Sequence, residues 1–592
     1  MDKKNTLIGV TLIVAAFAFL ILSNKFSPPP PPAPVTAPAV NPAGVVAGSA
    51  TAPNAAAPAQ TVTGTPAFTA LAKDSSTATV TTIENAYISV RFTNFGGAIR
   101  DIALRKFPAE LHRPEPYVFN ALHSDPMLGF VDYPGLDRNT PFELVSQTPT
   151  EIVYRAVLGG QVEVTRRYTL VAQPDDKHDP YQLRHETTLR NLTEQLVPIS
   201  RFGLSLGTIA PVSDSVYGQK ISSGLSNGDK QTFIQRTDLE GGSGFLGLGA
   251  SQPKFNVVSG GPVTWAAVDN QFFTSILTPD QPGVGLTTTR VKLLPTAADD
   301  QRSAYGLSGA AQFDVKPLPA HGSTTIAMSF YVGPKEYRRL SNSDVFKLDQ
   351  DKIMQFGVFK WFSQTLLTLM TWVHKGIPNW GLAVILTTLI LKIVFVPFTV
   401  AASRSAKRMQ KIQPEMQAVR EKFKDNPQKL QAATMELFKK HKVNPLGGCI
   451  PILITMPFFF GFYTMLQSAA ELRFEPFLWA QDLAAPDTVA HVFGFPVNIM
   501  PLLMGATMIF QMRLTPQPSV DNAQAKMLKF MPYLFILFCY SFSCALALYS
   551  TINGLFTIGQ QLVINRMKDD GDPATTTASD GLKNVTPKKK KK

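Results

Sequence analysis

The C-terminal part of the chain carries a row of apolar runs that leaves few folds open. They are NWGLAVILTTLILKIVFVPFTV at about 379–400, CIPILITMPFFFGFYTML at 449–466 and VNIMPLLMGATMIFQM at 497–512, then 527–564, long enough for two antiparallel spans hinged near Ser541–Ser543. A helix of ~20 apolar residues crosses the ~30 Å hydrocarbon core with every backbone polar group satisfied internally. A further run, TLIGVTLIVAAFAFLILS at 6–23, comes after MDKK and holds no charge in 18 residues. The next residues, SNKFSPPPPPAP, make a poor cleavage site, so this run reads as an uncleaved signal anchor. Six transmembrane helices are expected.

The intervening loops alternate in charge. Residues 401–442 hold eleven Lys or Arg against four acids, whereas 467–496 hold four acids and only Arg473. The 513–529 loop returns to positive with Arg513, Lys526 and Lys529 against Asp521, and the last run ends in Arg566 and Lys568. Short basic loops stay cytoplasmic. The expectation is a multi-pass bacterial inner-membrane protein, N-terminus and C-terminus both cytoplasmic, with everything between the first and second spans in the periplasm. Much of the net charge of +13 sits in 401–442 and the terminal KKKKK. Basic charge beside apolar spans reads as topology, and no DNA partner is expected.

Composition divides the remainder. Residues 1–26 form the anchor and 27–67 a Pro/Ala-rich linker too poor in large apolar groups to order itself. Residues 68–345 show near period-2 alternation broken by Gly-rich turns, as in YISVRFTNFGG and STTIAMSFYVG, which predicts a large antiparallel β-sandwich. Residues 346–377 read as an interfacial amphipathic helix with Trp361 and Trp372 at the membrane surface. Residues 378–566 form a core of five transmembrane helices with a helical hairpin at 401–445, and 567–592 a basic cytoplasmic tail.

Nothing in the β region points to catalysis. His112, His123, His178, His185 and His321 are scattered, and Asp175, Asp176 and Asp179 in QPDDKHDPY read as a solvated turn. Three cysteines, Cys449, Cys539 and Cys544, all sit in apolar stretches without a CxxC pair. The protein is not expected to be an enzyme, and no cofactor or metal is expected. A carbohydrate-binding cleft is the alternative for this region.

One residue breaks the apolar pattern: Lys392, in TTLILKIVFVPF. Twelve residues separate it from Trp380 on one side and Arg404 on the other, about 18 Å of helix each way. A cation at mid-bilayer costs roughly 2.5–3.5 kcal/mol on the insertion scale. Twelve Leu, Ile, Val and Phe residues between 382 and 398, at about −0.3 to −0.6 kcal/mol each, offset that. A lysine stem reaches only ~6 Å, too short to snorkel from mid-bilayer, and none of the predicted spans offers a carboxylate. A hydrophilic pocket inside the helix bundle remains, with Thr388 one turn above Lys392. Thr455, Gln467, Asn553 and Gln560 supply further polar groups, and Pro397 disrupts the helix below.

The loop SAKRMQKIQPEMQAVREKFKDNPQKLQAATMELFKKHKVNP reads as two helices broken around KDNP, with an apolar seam and basic outer faces. Arg404, Lys407, Arg408, Lys411, Lys439 and Lys440 are its candidate contacts to anionic partners, ribosomal RNA or phospholipid headgroups.

The order of segments, with KVNPLGGCIPILITMPFFFGFY after the basic hairpin, then ELRFEPFLWAQDL, then QQLVINR before a basic tail, resembles the YidC/Oxa/Alb family of membrane insertases. The match is strongest over about 355–567, and the anchor with the long β domain resembles the Gram-negative form. The resemblance implies insertion and folding of nascent inner-membrane proteins, alone or beside the Sec translocon, and no nucleotide hydrolysis. It also implies a positively charged residue in a hydrophilic groove open to cytoplasm and lipid. Lys392 falls on that position, where many bacterial members carry arginine. Lysine keeps the charge and loses the bidentate fork. Thr388 falls on a groove threonine, Thr455 where some members have glutamine, and Tyr549 keeps its family position. SCALALY replaces a Pro- and Gly-containing turn near Ser543. The alternative function is a small-anion transporter or channel with Lys392 as its binding charge, which would show inverted repeats; none is visible.

Overall fold

The computed structural model describes residues 78–566 apart from 123–124, 134, 137–138, 172–177, 214–217, 242–250, 294–304, 425, 442–449 and 515–532. The expected anchor, linker and basic tail, KVNPLGGC and most of the 513–529 loop lie outside the described residues. The side chains of Arg404, Lys407 and Thr455 do so as well. The described residues form two compact units: one runs to Trp372 and includes Phe460–Asp487, and the other comprises Val373–Phe459 with the chain from Thr488.

In the first unit every paired strand is antiparallel. A nine-stranded sheet has Gln182–Asn191 paired with Ser323–Pro334 near its centre, a five-stranded sheet centres on Tyr305–Phe313, and Val80–Glu84 opens a four-stranded sheet. The alternation seen in the sequence is realised as burial: Val162–Leu170 and Gln182–Asn191 bury every second residue. Trp265–Asp269 and Tyr305–Phe313 are buried throughout. These two strands lie in different sheets and meet at Gly309, where an added Cβ would sit 2.8 Å from Val268 Cγ1. Such an approach is how inward faces of stacked sheets interlock.

The segment Phe460–Asp487 reads from sequence as a span end and a plain loop, and here it packs on the β region. Arg473 donates from Nη1 to the Pro108 carbonyl at 2.6 Å and from Nη2 to the Ala109 carbonyl at 2.8 Å. Its guanidinium lies 4.2–5.9 Å from the ring centroids of Phe474, Phe273, Phe272 and Tyr117. Gln467, expected in the polar pocket, instead accepts from Gln271 Nε2 at its carbonyl and from Lys220 Nζ at its amide oxygen. The amphipathic helix is shorter than its apolar pattern suggests, because residues 350–354 and 357–359 are 3-10 turns and the α-helix runs Lys360–Gly376. Trp361 and Trp372 are exposed on it, Leu366, Leu367 and Met370 are buried, and Ser363 bonds the Gly461 carbonyl and Thr464.

In the second unit a single helix, Trp380–Lys411, runs through Pro397 without breaking. The expected disruption is absent because proline removes one backbone donor, a loss a long apolar helix tolerates. The helix also continues past the apolar run, so Arg404, Lys407, Arg408 and Lys411 stand on its end rather than on a separate hairpin helix. The hairpin proper is Gln413–Lys422 and Pro427–Lys440. Asn426 caps the second helix by accepting from Lys429 N at 3.1 Å, and Pro427 suits its first turn. Lys439 and Lys440 close that helix, exposed.

The remaining apolar runs form helices Ile450–Ser468, Ile499–Leu514, 533–539 and Cys544–Arg566, with the expected turn at 540–543. Among the described residues, Trp380–Ser403 is the one helix that is by itself long and apolar enough to cross a membrane, and Ile499–Leu514 is an apolar helix of shorter length.

Candidate functional site: a lysine between two helices

Two helices set the geometry. The last helix, Cys544–Arg566, places Asn553, Thr557 and Gln560 at intervals of four and three, hence along one face. The Trp380–Lys411 helix places Lys392 and Thr399 seven residues apart, two turns, on the facing side. Lys392 Nζ donates to Thr557 Oγ1 at 3.0 Å, and Thr557 donates its own proton to the Asn553 carbonyl at 2.7 Å. Two turns further along the Lys392 helix and one turn further along the last helix, Gln560 Nε2 donates to Thr399 Oγ1 at 2.7 Å. Both pairs advance toward higher numbers on both helices, so the two helices run parallel and a polar seam lies along their contact.

Lys392 is half-buried, and among the described residues no carboxylate pairs with it. The acids of this unit are Glu415, Glu421, Asp425 and Glu436 in the hairpin, Asp521 in the 513–529 segment, and Asp569, Asp570, Asp572 and Asp580 in the C-terminal tail, so none lies within an apolar run. An ammonium offers three donors. One is used by Thr557, so the seam presents a cation with hydrogen-bonding capacity beyond what that partner takes up.

The sequence-based residues are distributed unevenly about this seam. Thr388 is buried, with its hydroxyl bonded back to the Val384 carbonyl at 2.7 Å. It lies on the same helix without touching the ammonium. Tyr549 is buried in the last helix, two turns before Thr557. Thr455 sits on Ile450–Ser468, and its side chain lies outside the described residues. Thr557 and Thr399 carry the seam and escape a sequence reading. The signal for Thr557 is its place one turn beyond Asn553, between two residues conspicuous for their polarity.

Neighbouring contacts hold the helices close. Thr507 sits where a Cβ on Gly554 would fall at 2.8 Å from its Oγ1, and Ile536 packs likewise on Gly505. Asn498, at the start of Ile499–Leu514, donates from Nδ2 to the Tyr540 carbonyl at 2.9 Å. These fix Ile499–Leu514 parallel to the last helix and antiparallel to 533–539.

Elsewhere among the described residues no group of His, Cys, Asp and Glu is arranged to hold a metal ion. Asp179 is buried against Arg339 at 2.6 Å, an ion pair rather than a solvated turn, while Asp175 and Asp176 lie outside the described residues.

The described residues thus comprise an apolar helical region with a cation between two of its helices and a large antiparallel β region. Family models agree: residues 80–369 match the YidC periplasmic domain and 372–571 match the 60Kd inner membrane protein family. The membrane protein insertase YidC of Syntrophobacter fumaroxidans is 31% identical over 433 residues, covering 72% of each chain. That of Pelobacter propionicus is 40% identical over 255 residues, 42% of this chain and 46% of that relative. A crystal structure of an active YidC insertase with its first transmembrane domain resolved aligns over 85% of this chain and 95% of its own at 17% identity, TM-score 0.33. The chain belongs to the YidC family of membrane protein insertases.

Proposed function

We propose that Lys392 is the working charge of the insertase, receiving acidic or polar groups of a nascent N-terminal tail while the adjoining apolar helices pass the substrate span sideways into lipid. The observation that carries this is the Lys392–Thr557 contact, a cation bound to a neutral hydroxyl with no carboxylate beside it among the described residues. A fully neutralised lysine would have little left to offer a substrate. A hydrated one lowers the cost of moving a polar tail part-way across.

The topology that serves this role has six spans, with N- and C-termini cytoplasmic and the β domain periplasmic. The alternating loop charges support it, as does the parallel pairing of Trp380–Lys411 with Cys544–Arg566, which an odd number of intervening spans requires. Basic groups at Arg404, Lys407, Arg408, Lys411, Lys439 and Lys440 then face the cytoplasm, where they suit ribosomal RNA or anionic headgroups. Nascent membrane proteins are the substrates, delivered directly or beside the Sec translocon.

The test is photo-crosslinking to ribosome-stalled nascent membrane proteins from Gln560, half-buried in the seam and better placed than the buried Thr388. Crosslinks to the nascent span, weakened by Lys392→Leu for acidic-tailed substrates, are expected. A well-folded protein that yields no such crosslink removes this role for the seam and brings the anion transporter forward.

A further inference from the structure

Between Thr488 and Asn498 the chain forms a small hairpin of its own. Strand Thr488–Val492 pairs antiparallel with Phe495–Asn498, with Val492 opposite Phe495 and Ala490 opposite Val497. Only Phe493 and Gly494 link them, both at positive φ, 50° and 82°. Two-residue turns of this kind favour Asn or Gly, and a phenylalanine there carries backbone strain.

Its base is held, with Asn498 buried and Pro496 and Val497 half-buried, but every residue from Thr488 to Phe495 is exposed. Phe493 is 99% exposed, Phe495 76%, Val492 52% and Val489 47%. An isolated two-stranded hairpin is marginal in water, since it buries too little surface to offset its ordering entropy. This one adds an aromatic tip and an apolar face of Ala490, Val492, Phe495 and Val497 on the same side of the ribbon.

Three observations select the partner. The second strand enters the apolar helix Ile499–Leu514 with no intervening residue, so Phe495 stands four residues from a membrane-embedded element, at most ~14 Å. Asn498 ties that junction to Tyr540 at the turn between the last two helices, which keeps the hairpin at the level where the helices end. From Thr488 to Met512 the sequence has no Lys, Arg, Asp or Glu, and the exposed His491, which lies on the opposite side of the ribbon from Val492 and Phe495, is its one ionisable side chain, so there is little charge to offer a protein partner a specific pairing. Aromatic and aliphatic side chains next to a span's end belong in the headgroup–acyl boundary.

We propose that the Thr488–Asn498 hairpin is a lipid-binding element whose tip, Phe493 with Val492 and Phe495, enters the outer-leaflet interface of the bilayer. The outer leaflet comes from the six-span topology proposed for the insertase, and on that reading the inference rests. The hairpin fixes the outer end of Ile499–Leu514, a helix of 16 residues, about 24 Å long and therefore short for the hydrocarbon core. It supplies at its entry the apolar depth that the helix lacks.

The test uses the full chain with Cys449, Cys539 and Cys544 replaced by alanine and a nitroxide at F493C. It is reconstituted in phosphatidylcholine–phosphatidylglycerol vesicles with no other protein present. Collision with oxygen should exceed collision with a nickel chelate severalfold relative to a nitroxide at Q481C, and F495S should narrow that ratio. A label at 493 as open to the nickel chelate as one at 481 overturns the proposal, and leaves the hairpin to a protein partner. Labelling of Q481C by an impermeant maleimide on spheroplasts checks the topology separately. Labelled Q481C with a water-exposed Phe493 site defeats the hairpin inference alone, whereas unlabelled Q481C defeats the topology beneath it.

Discussion

Arg473→Ala should release the Phe460–Asp487 segment from the β domain. Its guanidinium makes two hydrogen bonds, to the Pro108 and Ala109 carbonyls, inside a surround of four aromatic rings. Burial pulls its proton affinity below the usual arginine range, with Tyr117 and Asp482 acting against that. A hydrogen bond from a charged donor contributes about 1.5–3 kcal/mol net, and ring contacts add about 0.5–1 kcal/mol each where partly exposed. Two such hydrogen bonds at the lower end of that range give about 3 kcal/mol, and alanine also takes away the cation that favours the half-buried Asp482 carboxylate. That raises the local opening equilibrium roughly 100-fold. Hydrogen exchange of the full-length protein in detergent should therefore speed by about that factor at residues 105–110 and 470–487, and little in the sheet centres. Arg473→Lys should recover only part, since one ammonium cannot hold two carbonyls and stack on the rings together. Unchanged exchange in both segments would refute the assignment of Arg473 as the fastening residue.

Buried charges in the β domain give two more expected outcomes. Lys335 Nζ lies 2.6 Å from Asp269 Oδ2 with both side chains 5% exposed, so Lys335→Met should cost about 3–5 kcal/mol of β-domain stability. Asp269→Asn combined with Lys335→Met should recover much of this, as read by thermal unfolding. Glu471 has its Oε2 buried without a hydrogen-bond partner among the described residues, and burial, with Glu336 nearby, raises its pKa from 4.5 to about 8. The folded state then holds a proton the unfolded chain gives up. Its contribution is complete below pH ~4.5, falls as pH rises, and is gone above about 8. Glu471→Gln should flatten that fall across pH 4.5–8 in unfolding scans, and an unchanged slope would assign it to other groups.

How much of this is legible in the sequence depends on the range of the interaction. The order of apolar runs, the loop charges and the hairpin break at KDNP are local patterns, and the helices on either side of Asn426 obey them. Lys392 is conspicuous because a charge within an apolar run is costly wherever the run folds. Its partner Thr557 is not, since a threonine in a membrane helix is unremarkable until a facing helix is known. Arg473 and Gln467 read as loop and pocket residues because their partners are distant in sequence: backbone carbonyls 364–365 residues away for Arg473, and the side chains of Gln271 and Lys220, 196 and 247 residues away, for Gln467. Helix continuity through Pro397 runs against propensity, which tertiary and membrane context override. The Thr488–Asn498 hairpin is hidden for a different reason: with so few residues, its alternation merges with the apolar run beside it.

The central claim is that Lys392 acts by its charge on the substrate tail. At ~8 Å and an effective dielectric of ~20, a tail carboxylate gains about 2 kcal/mol from it, roughly 30-fold in partitioning. The direct measurement is insertion into proteoliposomes holding the full-length protein, with paired single-span substrates that differ only in an acidic or neutral N-terminal tail. Lys392→Arg should insert both, Lys392→Leu should lose the acidic-tailed substrate by about that factor while sparing the neutral one, and Lys392→Glu should lose it further. Equal insertion of both substrates by Lys392→Leu and by the unsubstituted protein would contradict the account.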